Sequence, residues 1–199
     1  GMSGILKCFS IGAKANLVDR SAEIENSQIN EATVIYSTPY HIKKLLKADK
    51  LLPNLRKAII AGDLVSVELR QEAQKKLGCN IYVLYGCNET GGCCIAGPPC
   101  VYNNSELIGK AINGYTIEIV DKNHNQLSIN QIGQIRIKSD CNITHYLDED
   151  QKTAESFQDG YMYPGDHGFI DEFEQLHFKG RKDGMMLFNS INIYPLEIQ

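Results

Sequence analysis

No stretch of the chain is long and apolar enough to span a bilayer, and no charged-then-apolar leader opens it. A basic excess is missing too: 20 Lys and Arg are scattered against 24 Asp and Glu, for a formal net charge of −4. That removes the electrostatic footprint of a nucleic-acid binder. Repeats and low-complexity tracts are absent, and no two cysteines have the CxxC spacing of a metal or redox pair. The seven cysteines are Cys8, Cys79, Cys87, Cys93, Cys94, Cys100 and Cys141, an odd number without an export signal. This argues for reduced thiols in a cytoplasm. Four of them fall within residues 87–100, which raises a cysteine-held zinc. Adjacent thiols chelate one ion poorly, so small buried thiols beside a glycine-rich turn are the better reading.

What is present suits a globular chain. At 199 residues with 43% apolar content, it can hold one ordinary domain, or a domain and a small second lobe. A strand is predicted at Ala32–Tyr36. Thr38 then caps a helix with Pro39 at its first position and Ile42, Leu45 and Leu46 on one face, and Pro53 ends it. Leu55–Ile60 reads as a strand closing at Ala61-Gly62-Asp63. Ser66 caps a second helix that buries Leu69, Ala73, Leu77 and the stem of Lys76, with Gly78 at its left-handed end. Ile81–Leu84 is the next strand. Strand, helix, strand makes a βαβ unit, whose ligands gather at the carboxyl ends of the strands. There stands Tyr85-Gly86-Cys87-Asn88-Glu89-Thr90-Gly91-Gly92. Tyr85 offers a flat face to a base, and the glycines allow close backbone approach or positive φ. Glu89 is an oxygen ligand for a hard cation such as Mg²⁺. Read by itself, the stretch is slightly better explained as a strand end followed by a glycine-rich turn.

After Pro98-Pro99 the texture becomes β-rich. Tyr115–Val120 and Gly133–Lys138 alternate as strands around a turn at Asp121–Asn125, and Asp148 is predicted to cap a short helix to Phe157. A turn at Gly160–Gly168 carries Asp166, and a hairpin pairs Phe169–Asp171 with Leu176–Phe178. The chain ends at Pro195-Leu196-Glu197-Ile198-Gln199, which reads as a helix begun. The expected organisation is α/β over 1–102, a small and mostly antiparallel β-barrel-like lobe over 103–182, and a hinge with the start of a further lobe over 183–199.

Six stretches, in order along the chain, resemble motifs of the adenylate-forming superfamily of acyl- and aryl-CoA synthetases, luciferase and peptide-synthetase adenylation domains. Tyr85-Gly86-Cys87-Asn88-Glu89 resembles its Tyr-Gly-x-Thr-Glu, and Gly133-Gln134-Ile135-Arg136-Ile137 its Gly-Glu-(Ile/Leu)-x-(Ile/Val) strand. Gly160-Tyr161-Met162-Tyr163-Pro164-Gly165-Asp166 is similar to Gly-Trp-Tyr-x-Thr-Gly-Asp. Gly180-Arg181-Lys182-Asp183-Gly184 resembles the Gly-Arg-x-Asp-Asp hinge, and Pro195-Leu196-Glu197-Ile198-Gln199 the Pro-x-Glu-Ile-Glu beyond it. Ala61-Gly62-Asp63-Leu64 resembles the turn beside the adenine. Each motif is weak alone; the ordered set is hard to reach by chance.

The resemblance implies activation of a small carboxylic acid with ATP and Mg²⁺, giving acyl-AMP and pyrophosphate, then transfer to a thiol. The acceptor would be CoA or the phosphopantetheine of a carrier protein. By that resemblance Tyr85 stacks on adenine, with Gly62, Asp63, Gly86 and Asn88 lining the nucleotide. Asp166 accepts the ribose hydroxyls and Arg181 braces the ribose or phosphate side. Glu89 holds Mg²⁺ against the α-phosphate, and Asp183 is the hinge. Asn88 and Pro164 replace family threonines, and Asn189-Ser190 stands where glycines are common. A second reading is a non-catalytic nucleotide-binding or protein-interaction module. Self-association is a further expectation, through surface that an absent N-terminal sheet would cover.

Nothing in these residues resembles the family's phosphate-gripping loop or its late catalytic lysine. The 199-residue chain alone is therefore expected to be catalytically silent. Pyrophosphate exchange with a panel of carboxylic acids measures this directly: no exchange above background is expected, and brisk exchange contradicts it.

Overall fold

The structure is a computed structural model that describes residues 12–15, 27–48 and 52–181, with the backbone of 186–188 and 191–193. Asp183 and the 194–199 stretch lie outside the described residues. After a 3₁₀ turn, Ser27–Glu31, the first half runs β1 (Val34–Ser37), α1 (Pro39–Lys47), β2 (Lys57–Ala61), α2 (Val67–Leu77) and β3 (Asn80–Cys87). β1, β2 and β3 pair in parallel, with Ile60 opposite Val83 and Ala61 opposite Leu84. Both helices begin where their caps put them. The Thr38 hydroxyl accepts from the His41 N–H at 3.5 Å, and the Ser66 hydroxyl from the Leu69 N–H at 3.2 Å. Gly78 closes α2 in the left-handed region at φ 64°.

α1 buries Ile42, Leu45 and Leu46 as its spacing predicts, and α2 buries Leu69, Ala73 and Leu77. Lys76 borders that face with its charged end outside. About half of its side chain is exposed, and its Nζ sits 3.0 Å from Glu72. The cation that goes inside is Arg70, with no exposed surface at all. Its Nη1 donates to the carbonyls of Val101 at 2.9 Å and Asn104 at 2.7 Å, and Nη2 donates to Ser105 at 2.9 Å. One guanidinium thus satisfies three carbonyls of the connection leading to β5, a stretch with no ladder of its own. Burial pulls the Arg70 pKa down to about 10, which leaves it a cation.

The second half runs β4 (Gly91–Ala96), β5 (Leu107–Ala111), β6 (Thr116–Val120), β7 (Gly133–Lys138), α3 (Asp150–Ser156), β8 (Phe157–Gln158), β9 (Tyr161–Met162), β10 (Asp166–Ile170) and β11 (Leu176–Arg181). Beyond it, β12 (Met186–Phe188) and β13 (Ile191–Ile193) form a separate antiparallel pair. The main sheet has the order β1-β2-β3-β4-β5-β11-β10-β7-β9-β8, with β6 also paired to β7. The α/β class and the antiparallel second half are as the sequence predicts, but the expected barrel-like closure is not there. The antiparallel strands extend the parallel ones as one open sheet, joined where β4 pairs with β5 and β5 with β11. Residues from both halves, Ile60 and Ile81 as well as Ile135, Ile137 and Leu176, belong to one buried cluster. Asp148 does not cap α3 either. It takes φ 56°, and Glu149 occupies the cap position without a side-chain hydrogen bond. On the outer edge, β1 leaves Val34 and Tyr36 half exposed. No helix among the described residues is long and apolar enough to cross a membrane.

Replacing Arg70 by Met keeps much of its volume and strands three carbonyls without donors. The expected loss is about 3 kcal/mol of unfolding free energy, from unpaired buried acceptors at roughly 1–3 kcal/mol each. Urea denaturation checks it, and a loss below about 1 kcal/mol would show that water or slack in 101–105 takes over the guanidinium's bonds.

Candidate functional site

β3 runs further than its apolar stretch predicts. It continues through Tyr85, Gly86 and Cys87 and turns at residues 88–90 into the antiparallel β4. The glycines therefore serve this hairpin. A Cβ on Gly86 would run into the Gly91 carbonyl, and one on Gly92 would meet Leu84 Cδ2 at 2.6 Å. Close approach of backbone to backbone at Gly86, at a register shift between Tyr85 and Gly86, and of the Leu84 side chain to Gly92 is what these positions require; the expected approach to a ligand is not needed to explain them.

Four ladder steps separate β3 from β10 in the sheet order. A flat sheet would hold them about 19 Å apart at roughly 4.8 Å per step. Instead the Tyr85 hydroxyl donates to Asp166 Oδ2 at 2.6 Å. The sheet must coil strongly enough to bring the carboxyl end of β3 against the start of β10. Asp166 is 5% exposed, and β-ladder register sets it opposite Arg181, whose Nη1 donates to Asp166 Oδ1 at 3.1 Å. Burial, and after it the Asp166 charge, push the Tyr85 phenol well above its ordinary value, so it remains a donor. Tyr85, Asp166 and Arg181 thus form one connected wall.

Glu89 stands at the hairpin tip and is gripped from the second half of the chain. Its Oε1 accepts from the Tyr146 hydroxyl at 2.6 Å, and its carbonyl accepts from the Ile143 N–H at 3.0 Å. The next residue, Thr90, is buried, and its carbonyl accepts from the Tyr115 hydroxyl at 2.7 Å. Cys87 lies 3.9 Å from Met162 through their sulfurs. None of Tyr146, Tyr115 or Ile143 was singled out by sequence reasoning. Tyr146 is separated from Glu89 by 57 positions and sits on an irregular stretch, where no periodicity relates the two.

The remaining predicted residues are distributed around this wall. Gly62 and Asp63 follow Ala61, the ladder partner of Leu84, so they stand beside Tyr85 at the carboxyl ends of β2 and β3. Asp63 Oδ1 accepts from the Leu64 N–H at 2.7 Å, and burial raises its carboxyl against the lowering by that N–H and Lys43. Gly86 and Asn88 are exposed on the same hairpin. Among the described residues, no three His, Cys, Asp or Glu side chains come together as a metal set. The cysteines at residues 79, 93 and 94 are free and buried, and burial raises each thiol, Cys93 to about 12 and Cys79 to about 11. Cys100 and Cys141 are free and exposed.

Burial works to raise the Glu89 carboxyl, but the Tyr146 hydroxyl, the Cys87 thiol, its own backbone N–H and Lys152 together hold it below 4.5. A carboxyl lowered on folding stabilises fully above its unfolded value, and the contribution disappears as pH falls through the lowered folded value. Urea midpoints of the wild type and Glu89→Gln, followed from about pH 7 to about pH 3, are expected to differ most above pH 4.5 and to converge in acid. A gap that is constant across the range would contradict this electrostatic account.

A family model described as AMP-binding enzyme matches residues 1–147. A fatty acid–acyl-carrier-protein ligase of Streptomyces coeruleorubidus is 27% identical over 149 residues, covering 73% of this chain and 29% of the relative. A mitochondrial acyl-coenzyme A synthetase of Rattus norvegicus is 28% identical over 175 residues, covering 84% of this chain and 30% of the relative. The chain thus spans about three tenths of the length of these curated relatives. The solved structure of the Bacillus subtilis o-succinylbenzoate coenzyme A synthetase in complex with ATP and a magnesium ion has a TM-score of 0.82 at 22% identity, covering 100% of this chain and 42% of that one, a likeness of fold. With the family model matched over residues 1–147, the chain belongs to the AMP-binding enzymes, the adenylate-forming superfamily that its ordered motifs resemble.

Proposed function

We propose that this chain is the nucleotide-holding part of an ATP-dependent, AMP-forming ligase that joins a small carboxylic acid to a thiol. The observation that carries the reading is the Tyr85–Asp166–Arg181 wall, in which the carboxyl end of the parallel strand β3 meets the antiparallel pair β10 and β11, with Glu89 four residues beyond Tyr85 on the same hairpin. A buried carboxylate oriented by a phenol and a guanidinium is well suited to accept two neighbouring hydroxyls of a ribose. Tyr85, Gly62, Asp63, Gly86 and Asn88 would line the base and sugar. Arg181 would keep a fixed positive charge toward the ribose and phosphate side. The acceptor thiol is that of CoA or of a carrier-protein phosphopantetheine; one relative's name carries each.

Glu89 fits Mg²⁺ by the chemistry of its donor set. A single hard carboxylate that completes its shell with substrate phosphate oxygens is a common way for this ion to be held. When bound, the ion would offset the charge that builds at the α-phosphate as the acid's carboxylate attacks. The chain's own part is to hold Glu89 still, to fix the ribose through Asp166, and to keep the Tyr85 proton on its oxygen. The division at residues 102 and 182, and Asp183 as the hinge for a further lobe, belong to this proposal. So do self-association through the β1 edge, where Val34 and Tyr36 are exposed, and a reducing cytoplasmic setting, which suits the free thiols.

Titration calorimetry with AMP and 2′,3′-dideoxy-AMP tests the reading. Two charge-assisted hydrogen bonds at roughly 1.5 kcal/mol each amount to about 100-fold in affinity, which the dideoxy nucleotide should lose. Asp166→Asn should weaken AMP binding and remove most of the discrimination between the two ligands. AMP binding indifferent to both changes would overturn the assignment of Asp166. Nucleotide binding without acyl-AMP formation in any longer form of the protein would favour the non-catalytic module.

A further inference from the structure

Glu89 is held at two points by one segment, residues 139–157, which the proposed function does not use. The Ile143 N–H bonds the Glu89 carbonyl, and the Tyr146 hydroxyl bonds the carboxylate. Tyr146 is itself fixed on three sides. Its N–H donates to Thr153 Oγ1 at 2.9 Å, its ring meets Phe157 edge-on at 5.4 Å, and Lys152 Nζ lies 5.0 Å over its face. Thr153 and Lys152 belong to α3, and Phe157 opens β8. A short helix with no buried residue of its own thus meets Tyr146 through two of its side chains. The helix–strand unit makes little sense as core, since its contribution to the apolar cluster is slight. It makes sense as a brace.

We propose that Tyr146 is a positioning residue that sets the rotamer of Glu89, and that α3 and Phe157 are the brace holding Tyr146 in place. A glutamate at a hairpin tip has three free side-chain torsions, and an ion that needs near-ideal octahedral geometry selects one arrangement among many. With one oxygen already engaged by a fixed phenol, the carboxylate is presented in a single orientation before nucleotide or ion arrives. The ordering cost is then met on folding rather than on binding. The phenol donates to one oxygen and leaves the carboxylate anionic, so it orients the group without neutralising it. This inference rests on the reading of Glu89 as the residue that meets Mg²⁺.

The test compares ATP affinity with Mg²⁺ and with EDTA in the 199-residue chain, because the gain between the two conditions isolates the Glu89 contribution. Tyr146→Phe keeps the ring, its edge contact and the Lys152 stacking, and removes only the hydroxyl. It should leave affinity in EDTA within about 2-fold and cut the gain from Mg²⁺ by about 10-fold, the worth of one hydrogen bond to a charged group. Glu89→Gln should abolish the gain, and adding Tyr146→Phe to it should change nothing further. Thr153→Val, which takes away the acceptor of the Tyr146 N–H, should reduce the gain in the same direction, and it carries the test if Tyr146→Phe does not fold. Equal losses in Mg²⁺ and EDTA, or no change in the gain, would overturn the positioning role. Wild-type chain that binds AMP yet gains nothing from Mg²⁺ would remove this inference alone, whereas failure to bind AMP at all would remove the nucleotide reading with it.

Discussion

A single hydrogen bond between the Tyr85 hydroxyl and Asp166 closes a loop of 81 positions and decides what the sheet can look like. Strands paired side by side cannot bring β3 to β10 unless the sheet coils over itself, and coiling is what brings residues from distant strands together. Asp166 is almost fully buried, so its charge is tolerable only with partners, and it has a phenol on one oxygen and a guanidinium on the other. The stabilisation and the site are therefore the same groups. A carboxylate held on both oxygens by donors is rigid, and the proposed recognition of a ribose diol would use that rigidity.

The hairpin of β3 and β4 carries the second half of the site, and its tip is clasped by residues remote in sequence: Tyr115, Ile143, Tyr146 and Met162. An isolated two-stranded tip bearing Gly86, Gly91 and Gly92 would move freely. Here the glycines permit the tight backbone crossing, and the distant tyrosines supply the stiffness the glycines remove. The parallel layer sets where the carboxyl ends of the strands point, while the antiparallel layer fixes the groups standing on them.

Much of the first layer was legible because it is local. Thr38, Ser66 and Gly78 are caps whose chemistry acts over three or four residues, and all three are used as read. The βαβ order pointed to the carboxyl ends of the strands, and of the residues named by the ordered motifs the structure joins Tyr85, Asp166 and Arg181. Contacts over long separations were not legible. Nothing near Tyr85 announces that its hydroxyl, and not its ring alone, is engaged. Nothing near Tyr146 points 57 positions back to Glu89. Arg70 escaped notice because a cation on an amphipathic helix is ordinarily solvated. It is buried where a connection outside the strand ladder, a short 3₁₀ turn at Cys100–Tyr102 and the residues after it, needs donors for its carbonyls. The barrel-like expectation failed for a related reason: antiparallel alternation announces strands, but closure depends on which edges meet, and in the 103–182 lobe β5 and β8 do not pair.

In the proposed reading a nucleotide is held across Tyr85, Asp166 and Glu89. A crystal structure of the chain grown with AMP examines that most directly. The account predicts the ribose hydroxyls within hydrogen-bond reach of Asp166, Arg181 toward the phosphate side and the purine against Tyr85. AMP bound at any other place on the sheet, with the Tyr85–Asp166–Arg181 wall untouched by ligand, would contradict it.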